Sequence, residues 1–267
     1  MGRRIRSFAS TAAASLVATV LCTAVSAAAG SDEPAYACTD NAHLARLSAP
    51  LPRMRRLVAT GHPVTIMALG SSSTAGAGAS SPAASYPARL EAELRSRFPR
   101  AAITVINRGV NGEEAADMLA RFDQAVAEDM PDVVLWQVGT NAVLRDSPIG
   151  PVDQLIVEGL ARMKALGTDV VLIDPQFAPK VLAKPDAEGM VSDIAAASAS
   201  RGVDLFPRFA VMKEWHDAAA IPFETFLSPD LLHMNDWGYG CFAKLLGAAI
   251  ADAATRPVVS AGAITAK

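Results

Sequence analysis

Five short apolar runs rich in β-branched residues, separated by stretches of helical periodicity, constrain this chain more than any other feature. The runs are "VTIMAL" (64–69), "AITVIN" (102–107), "DVVLWQV" (132–138), "DVVLIDP" (169–175) and "VDLFP" (203–207). Each is brief and nearly continuous in its apolar character, as a strand covered on both faces must be. Between them lie "YPARLEAELRSRF", "EEAADMLARFDQAVAED", "PVDQLIVEGLARMKALG" and the stretch from Met190 to Arg201. A last helical pattern runs from Trp237 to Ala254. Strands alternating with helices predict an α/β fold: a three-layer α/β/α sandwich around a central, mostly parallel five-stranded sheet, flavodoxin-like in arrangement. In such sheets the ligand crevice lies outside the carboxyl ends of the strands. Chemistry is therefore to be sought in the loops that follow the five runs.

The first 29 residues do not fit this pattern. Arg3, Arg4 and Arg6 precede an Ala-rich apolar stretch that ends in the small residues Ala24, Val25, Ser26 and Ala27. This is the make-up of an export signal cut after Ala27 or Ala29. The expectation is a secreted or periplasmic protein with no stable membrane anchor after cleavage. Residues 30–60 read as an N-terminal extension, 61–255 as one folded domain, and 256–267, which lack periodicity, as a frayed tail. Cleavage removes Cys22 and leaves Cys38 and Cys241. An even count in an oxidising compartment points to one disulfide, and two separate buried thiols are the alternative.

Charge narrows the partners. A formal net charge of −3 and a pI near 5.8 supply no basic field for a phosphate backbone, so nucleic acid is not an expected partner. No Cys and His cluster has zinc-site spacing, and no metal or organic cofactor is expected. Nothing in the sequence specifies an oligomeric state.

The first strand runs into "LGSSSTAGAG", and three chemistries compete for these hydroxyls. A Walker phosphate loop needs a lysine that is absent. A flavin phosphate loop fits the small polar residues, but the loops after the second and third strands offer no aromatic residue for a flavin. A nucleophile elbow of G-x-S-x-G form lacks its second glycine. A serine nucleophile in another frame needs partners elsewhere, and the chain has them. The second strand is followed by "NRGVNGEEAADMLARF", the third by "WQVGTNAVL", and the last helix is preceded by "SPDLLHMNDWG".

These four segments, with "YPARL" downstream of the first, resemble the SGNH or GDSL-type serine hydrolases in content and order, from about Val64 to Leu246. The resemblance implies a nucleophile at Ser72, an oxyanion-hole glycine at Gly112 and an oxyanion-hole amide at Asn141. It places the aspartate and histidine of the triad at Asp230 and His233. Two positions depart from the family pattern: Ser71 stands where an aspartate usually precedes the nucleophile, and Ala142 where one usually follows the asparagine.

The chemistry asks for these residue types. A serine hydroxyl needs a base to take its proton, and imidazole suits that task. A carboxylate three residues away can fold back on the imidazole N–H and hold its tautomer. The developing oxyanion needs donors, here the Ser72 and Gly112 N–H groups and the Asn141 amide. Ser71 and Ser73 read as supporting residues, and Asp236 as a first-turn acid or cap of the last helix. His43 and His62 precede the first strand, and His216 reads as a packing or surface residue.

The expected activity is hydrolysis of short-chain acyl esters, such as O-acetyl groups on a carbohydrate, through an acyl-enzyme. The substrate is a small-molecule or polysaccharide ester. A lipase, lysophospholipase or thioesterase is the alternative. A non-catalytic glycan-binding relative and a flavin-phosphate protein stand behind it.

Overall fold

The computed structural model describes residues 1–2, 38 and 43–257. The chain forms two compact units, Met1–Pro34 and Ala35–Lys267. The first, which contains the whole of the stretch read as an export signal, lies outside the described residues apart from Met1 and Gly2, as do residues 258–267 of the tail.

The second unit is built on five strands: β1 (Val64–Gly70), β2 (Ile103–Gly109), β3 (Val133–Gln137), β4 (Asp169–Ile173) and β5 (Asp204–Phe206). All four pairings are parallel, and the order is β2-β1-β3-β4-β5. The expected sandwich is thus borne out, with every pairing parallel. The central strands β3 and β4 are buried at every residue, whereas the edge strand β2 is half-exposed along most of its length. Continuous apolar runs sit in the middle because helices cover both faces there.

The helices are α1 (Pro52–Thr60), α2 (Ser72–Ala75), α3 (Tyr86–Arg97), α4 (Ala115–Ala120), α5 (Phe122–Asp129), α6 (Thr140–Leu144) and α7 (Ile149–Ala165). They continue with α8 (Pro179–Leu182), α9 (Ala187–Arg201), α10 (Arg208–Asp217), α11 (Phe223–Phe226) and α12 (Asp236–Thr255). The single helical pattern over 113–129 is two helices that meet at Arg121. That side chain leaves the helix surface to bond both Glu113 carboxylate oxygens and the carbonyl of Arg108. The fourth run stops being a strand at Ile173, and 174–178 continue as a fully buried loop.

Helix α1 lies in the stretch read as an extension, yet Leu47, Leu51 and Met54 are buried in the same core as the sheet. The reason lies at the amino ends of the strands. Asp132, Asp169 and Asp204 stand at the starts of the third, fourth and fifth runs. Asp204 accepts the N–H groups of Ser48 and Ala49 and the Ser48 hydroxyl. Asp169 accepts the N–H groups of Arg53 and Met54. Asp132 pairs with Arg53 at 2.8 Å and also accepts the Thr65 N–H. Asp169 thus satisfies the first turn of α1, Asp204 the segment leading into it, and Asp132 ties the Arg53 side chain to the start of β1. At the other end Arg256, read as the first residue of the tail, donates to the carbonyls of Leu47 and Ala49. Cys38 and Cys241 are disulfide-bonded, with Cα atoms 5.1 Å apart, tying the N-terminal segment to α12. Among the described residues, no helix is long and apolar enough to cross a membrane.

Candidate active site

The order β2-β1-β3 makes the carboxyl end of β1 the switch point of the sheet, where successive connections leave in opposite directions and open a crevice. Ser72 stands there as the first residue of α2, two positions beyond Gly70. The turn is tight: Thr74 and Ala75 N–H donate to the Ser71 carbonyl, and Gly76 and Ala77 N–H to that of Ser72. As the opening residue of α2, Ser72 has no intrahelical acceptor for its own N–H.

Ser71 and Thr74 are held from below. The Gln137 side-chain oxygen, at the end of β3, accepts the Ser71 N–H (3.0 Å), the Ser71 hydroxyl (3.2 Å) and the Thr74 hydroxyl (3.2 Å). Ser71, read as a supporting residue, does not cap α2 with its side chain but bonds the loop through Gln137. Gln137 was not singled out from the sequence. The signal was a polar residue inside the apolar run "DVVLWQV", since such a group is buried only with partners.

His233 arrives on the loop between α11 and α12. The Ser228 N–H donates to the His233 carbonyl at 2.8 Å and the Leu231 N–H to the Ser228 carbonyl at 3.0 Å, closing a compact turn. Asp230 organises it from within. Its Oδ1 accepts the Ser228 hydroxyl (2.8 Å), the Leu232 N–H (3.0 Å) and the His233 N–H (2.9 Å), and its Oδ2 faces His233 Nδ1 at 2.5 Å. Burial works to raise the Asp230 carboxyl, but the hydrogen bonds from the His233 ring, the His233 N–H, Ser228 and Leu232 outweigh it. They hold the group far below the usual carboxylate range. An ionised carboxylate only accepts, so it assigns the imidazole proton to Nδ1. Nε2 is then an acceptor, and it lies 2.7 Å from Ser72 Oγ.

The three residues therefore form one line from carboxylate to imidazole to hydroxyl. The His233 side chain retains 14% of its exposure and that of Asp230 40%, so the line is sheltered at the histidine and open at the aspartate. Gly78 backs the histidine, with φ of +88°. A Cβ there would stand 2.4 Å from the Met234 carbonyl and 3.0 Å from His233 Cβ.

Gly112 and Asn141 border the same crevice, after β2 and β3. The Val110 N–H donates to the Gly70 carbonyl, which holds the Gly112 loop against the end of β1. Asn141 Nδ2 donates to the Glu113 carbonyl at 2.8 Å, and one of its two hydrogens stays unused by that bond. Arg145, one residue past α6, donates to the Gly112 carbonyl at 2.7 Å and to Glu114 Oε1 at 2.7 Å. Gly112 has φ of +82°, a conformation that glycine adopts without strain. Its N–H makes no hydrogen bond among the described residues. Ala142, where the family pattern has an aspartate, is buried in the core.

The remaining candidates lie elsewhere. Asn235, not Asp236, caps α12, accepting the Gly238 N–H at 3.0 Å. Asp236 is a first-turn acid bonded to Ser80. His216 stacks on Phe223 with ring centroids 3.8 Å apart. Among the described residues, no group of three or more His, Cys, Asp or Glu is placed to hold a metal ion.

Comparison with known proteins returns the same fold in esterases. A two-domain esterase active on acetylated mannans, solved with mannopentaose, superposes with a TM-score of 0.64 at 18% identity. It matches 79% of this chain and 56% of its own length. An acetylxylan esterase from Geobacillus stearothermophilus superposes with a TM-score of 0.61 at 17% identity, over 70% of this chain and 94% of its own. Likeness at such identities establishes the fold. In sequence, the chain is 30% identical over 77 residues to an arylesterase of Vibrio mimicus, covering 29% of this chain and 38% of that protein. The chain thus spans well under two thirds of that curated relative. A family model described as non-GDSL lipase-like matches residues 37–256. Its description suits a loop after β1 that reads "GSSS", with Ser71 in the place of the aspartate of "GDS". On a match of that extent, the chain belongs to the non-GDSL lipase-like family.

Proposed function

We propose that this protein is an exported serine esterase of SGNH type, hydrolysing short-chain acyl esters through an acyl-enzyme. The observation that carries the reading is the line from Asp230 Oδ2 through His233 to Ser72 Oγ, with separations of 2.5 and 2.7 Å. Such reach between nucleophile, base and orienting carboxylate is what acyl transfer requires.

Ser72 Oγ attacks the ester carbonyl carbon while its proton passes to His233 Nε2. Asp230 holds the ring and stabilises the imidazolium. The carbonyl oxygen becomes an oxyanion, received by the Ser72 and Gly112 N–H groups and the free Asn141 amide hydrogen. Each donor is worth about 3 kcal/mol in comparable sites. Collapse breaks the ester C–O bond, and the alcohol leaves with the proton from Nε2. Water then attacks the acyl-Ser72 carbonyl, giving its proton to Nε2. Release of the carboxylic acid returns Oγ–H.

For the substrate we favour O-acetyl groups on a carbohydrate. Solved proteins of similar fold whose names give acetylated mannans and acetylxylan as substrates support this, as does a triad open to solvent at Asp230. A second reading, a longer acyl chain, is favoured by the lipase-like family and by Leu231, 41% exposed between Asp230 and His233. Export is supported by the Cys38–Cys241 bridge and the signal-like N-terminus.

A panel of aryl esters from acetyl to palmitoyl, followed by acetate release from acetylated polysaccharides, separates the two substrates. Ser72→Ala should abolish both turnover and labelling by an organophosphonate. Undiminished labelling in that variant refutes the assignment.

A further inference from the structure

Beneath the crevice lies a cation that the hydrolytic steps leave without a role. Arg208, the first residue of α10, is fully buried. Its Nε donates to the carbonyl of Asp174 at 2.9 Å. Nη2 donates to Gln176 Oε1 at 2.9 Å and reaches Thr140 Oγ1 at 3.5 Å, while Nη1 is buried with no hydrogen-bond partner among the described residues. Gln176 is also buried, on the loop after β4. Its Oε1 accepts the Thr140 hydroxyl as well (2.9 Å), and its Nε2 donates to the carbonyl of Leu232 at 3.3 Å.

The chemistry of the groups gives this junction a direction. A guanidinium has donors only, so the Gln176 amide must turn its oxygen toward Arg208, and its nitrogen is thereby turned toward Leu232. The Leu232 carbonyl belongs to the peptide bond that joins it to His233. The same amide oxygen bonds Thr140, the residue before Asn141. One buried charge thus orients an amide that touches both the histidine loop and the start of α6. Burial draws the guanidinium pKa down to about 10, which leaves it charged at neutral pH.

We infer that Arg208 and Gln176 are positioning residues: Arg208 sets the orientation of the Gln176 amide, which anchors the Leu232 carbonyl and keeps His233 Nε2 in reach of Ser72. The inference rests on the reading of Ser72 and His233 as nucleophile and base.

Gln176→Glu tests it. A carboxylate keeps both acceptor roles toward Arg208 and Thr140 but has no donor for Leu232. Melting temperature and KM for p-nitrophenyl acetate should stay near wild type. At the same time kcat and the rate of organophosphonate labelling should fall together, by about tenfold to a hundredfold, the scale of a small misplacement of reacting groups. A purely structural role would instead lower the melting temperature and leave kcat per titrated active site unchanged. If Gln176→Glu does not fold, Gln176→Met, neutral and of similar length, should show the same fall in kcat at unchanged KM. Wild-type kcat in either folded variant overturns the inference. Ser72→Ala is assayed in parallel. If it loses its labelling while Gln176→Glu keeps full kcat, only the positioning role fails. If Ser72→Ala still labels, the reading of the site itself fails.

Discussion

The carboxylate of Asp236 grips Ser80 with both oxygens, Oδ1 accepting the Ser80 N–H at 2.8 Å and Oδ2 its hydroxyl at 2.5 Å. The start of α12 is thereby stapled to the loop that follows α2, and the Tyr239 hydroxyl, donating to the Ala77 carbonyl at 2.6 Å, repeats the tie one turn later. Asp236 thus stands three residues after His233 and still has no contact with it, whereas Asp230, three residues before, has both its oxygens on the histidine segment.

This difference predicts how the two aspartates respond to amidation. Asp230→Asn should lower kcat about a hundredfold or more, because the ring loses its tautomer control and the imidazolium its counter-charge. Asp236→Asn should leave kcat within about threefold of wild type and cost about 1 kcal/mol of stability, the scale of a partly exposed hydrogen-bonded pair. Steady-state kinetics and thermal melts of both variants check this. The assignment falls if Asp236→Asn is the crippling change.

The depressed Asp230 carboxyl predicts a pH dependence of stability. Its folded value lies below the unfolded one, so the native state binds the proton less readily. The stabilisation is present above the ordinary carboxylate range and disappears as pH falls through it toward the folded value. The difference in melting temperature between wild type and Asp230→Asn should therefore shrink between about pH 5 and about pH 2. A difference that grows on acidification contradicts the sign.

Gly78 predicts a coupled defect. Gly78→Ala adds a Cβ at 2.4 Å from the Met234 carbonyl on a backbone with φ of +88°, so the histidine loop has to shift. The expected cost is about 1–3 kcal/mol of stability, with a fall in kcat larger than the change in KM. A variant with wild-type melting and turnover would show that the loop yields without effect.

The bridge between Cys38 and Cys241, separated by 203 positions, predicts one internal disulfide and no free thiol in non-reducing mass spectrometry of the mature protein, once the segment with Cys22 has been cleaved. The chain-entropy model values such a loop at about 5 kcal/mol. Cys241→Ser should accordingly lower the melting temperature by several degrees. Two alkylatable thiols in oxidised protein would disprove the bridge.

Much of this was legible in the sequence because it is local. A period-two or continuous apolar run marks a strand, and a 3.6-residue period marks a helix. Together they specify a parallel α/β sheet whose strand ends are "LGSSSTAG", "NRGVNG" and "WQVGTN". Ser72, Asp230 and His233 could be named because the short segments that carry them resemble those of the SGNH or GDSL-type hydrolases, with Asp230 and His233 three residues apart. Other features depend on which strand ends converge, and no local pattern encodes that. The break at Arg121 depends on Glu113 and Arg108 lying across the loop. The docking of α1 depends on aspartates 79 to 156 residues away in sequence. The roles of Gln137, Gln176 and Arg208 depend on buried donors meeting acceptors from loops and helices far along the chain. The sequence by itself determined the elements and the residue types able to do the chemistry. Only the tertiary structure decided which buried polar groups meet, because each needs a partner that the folded chain brings from far along its length.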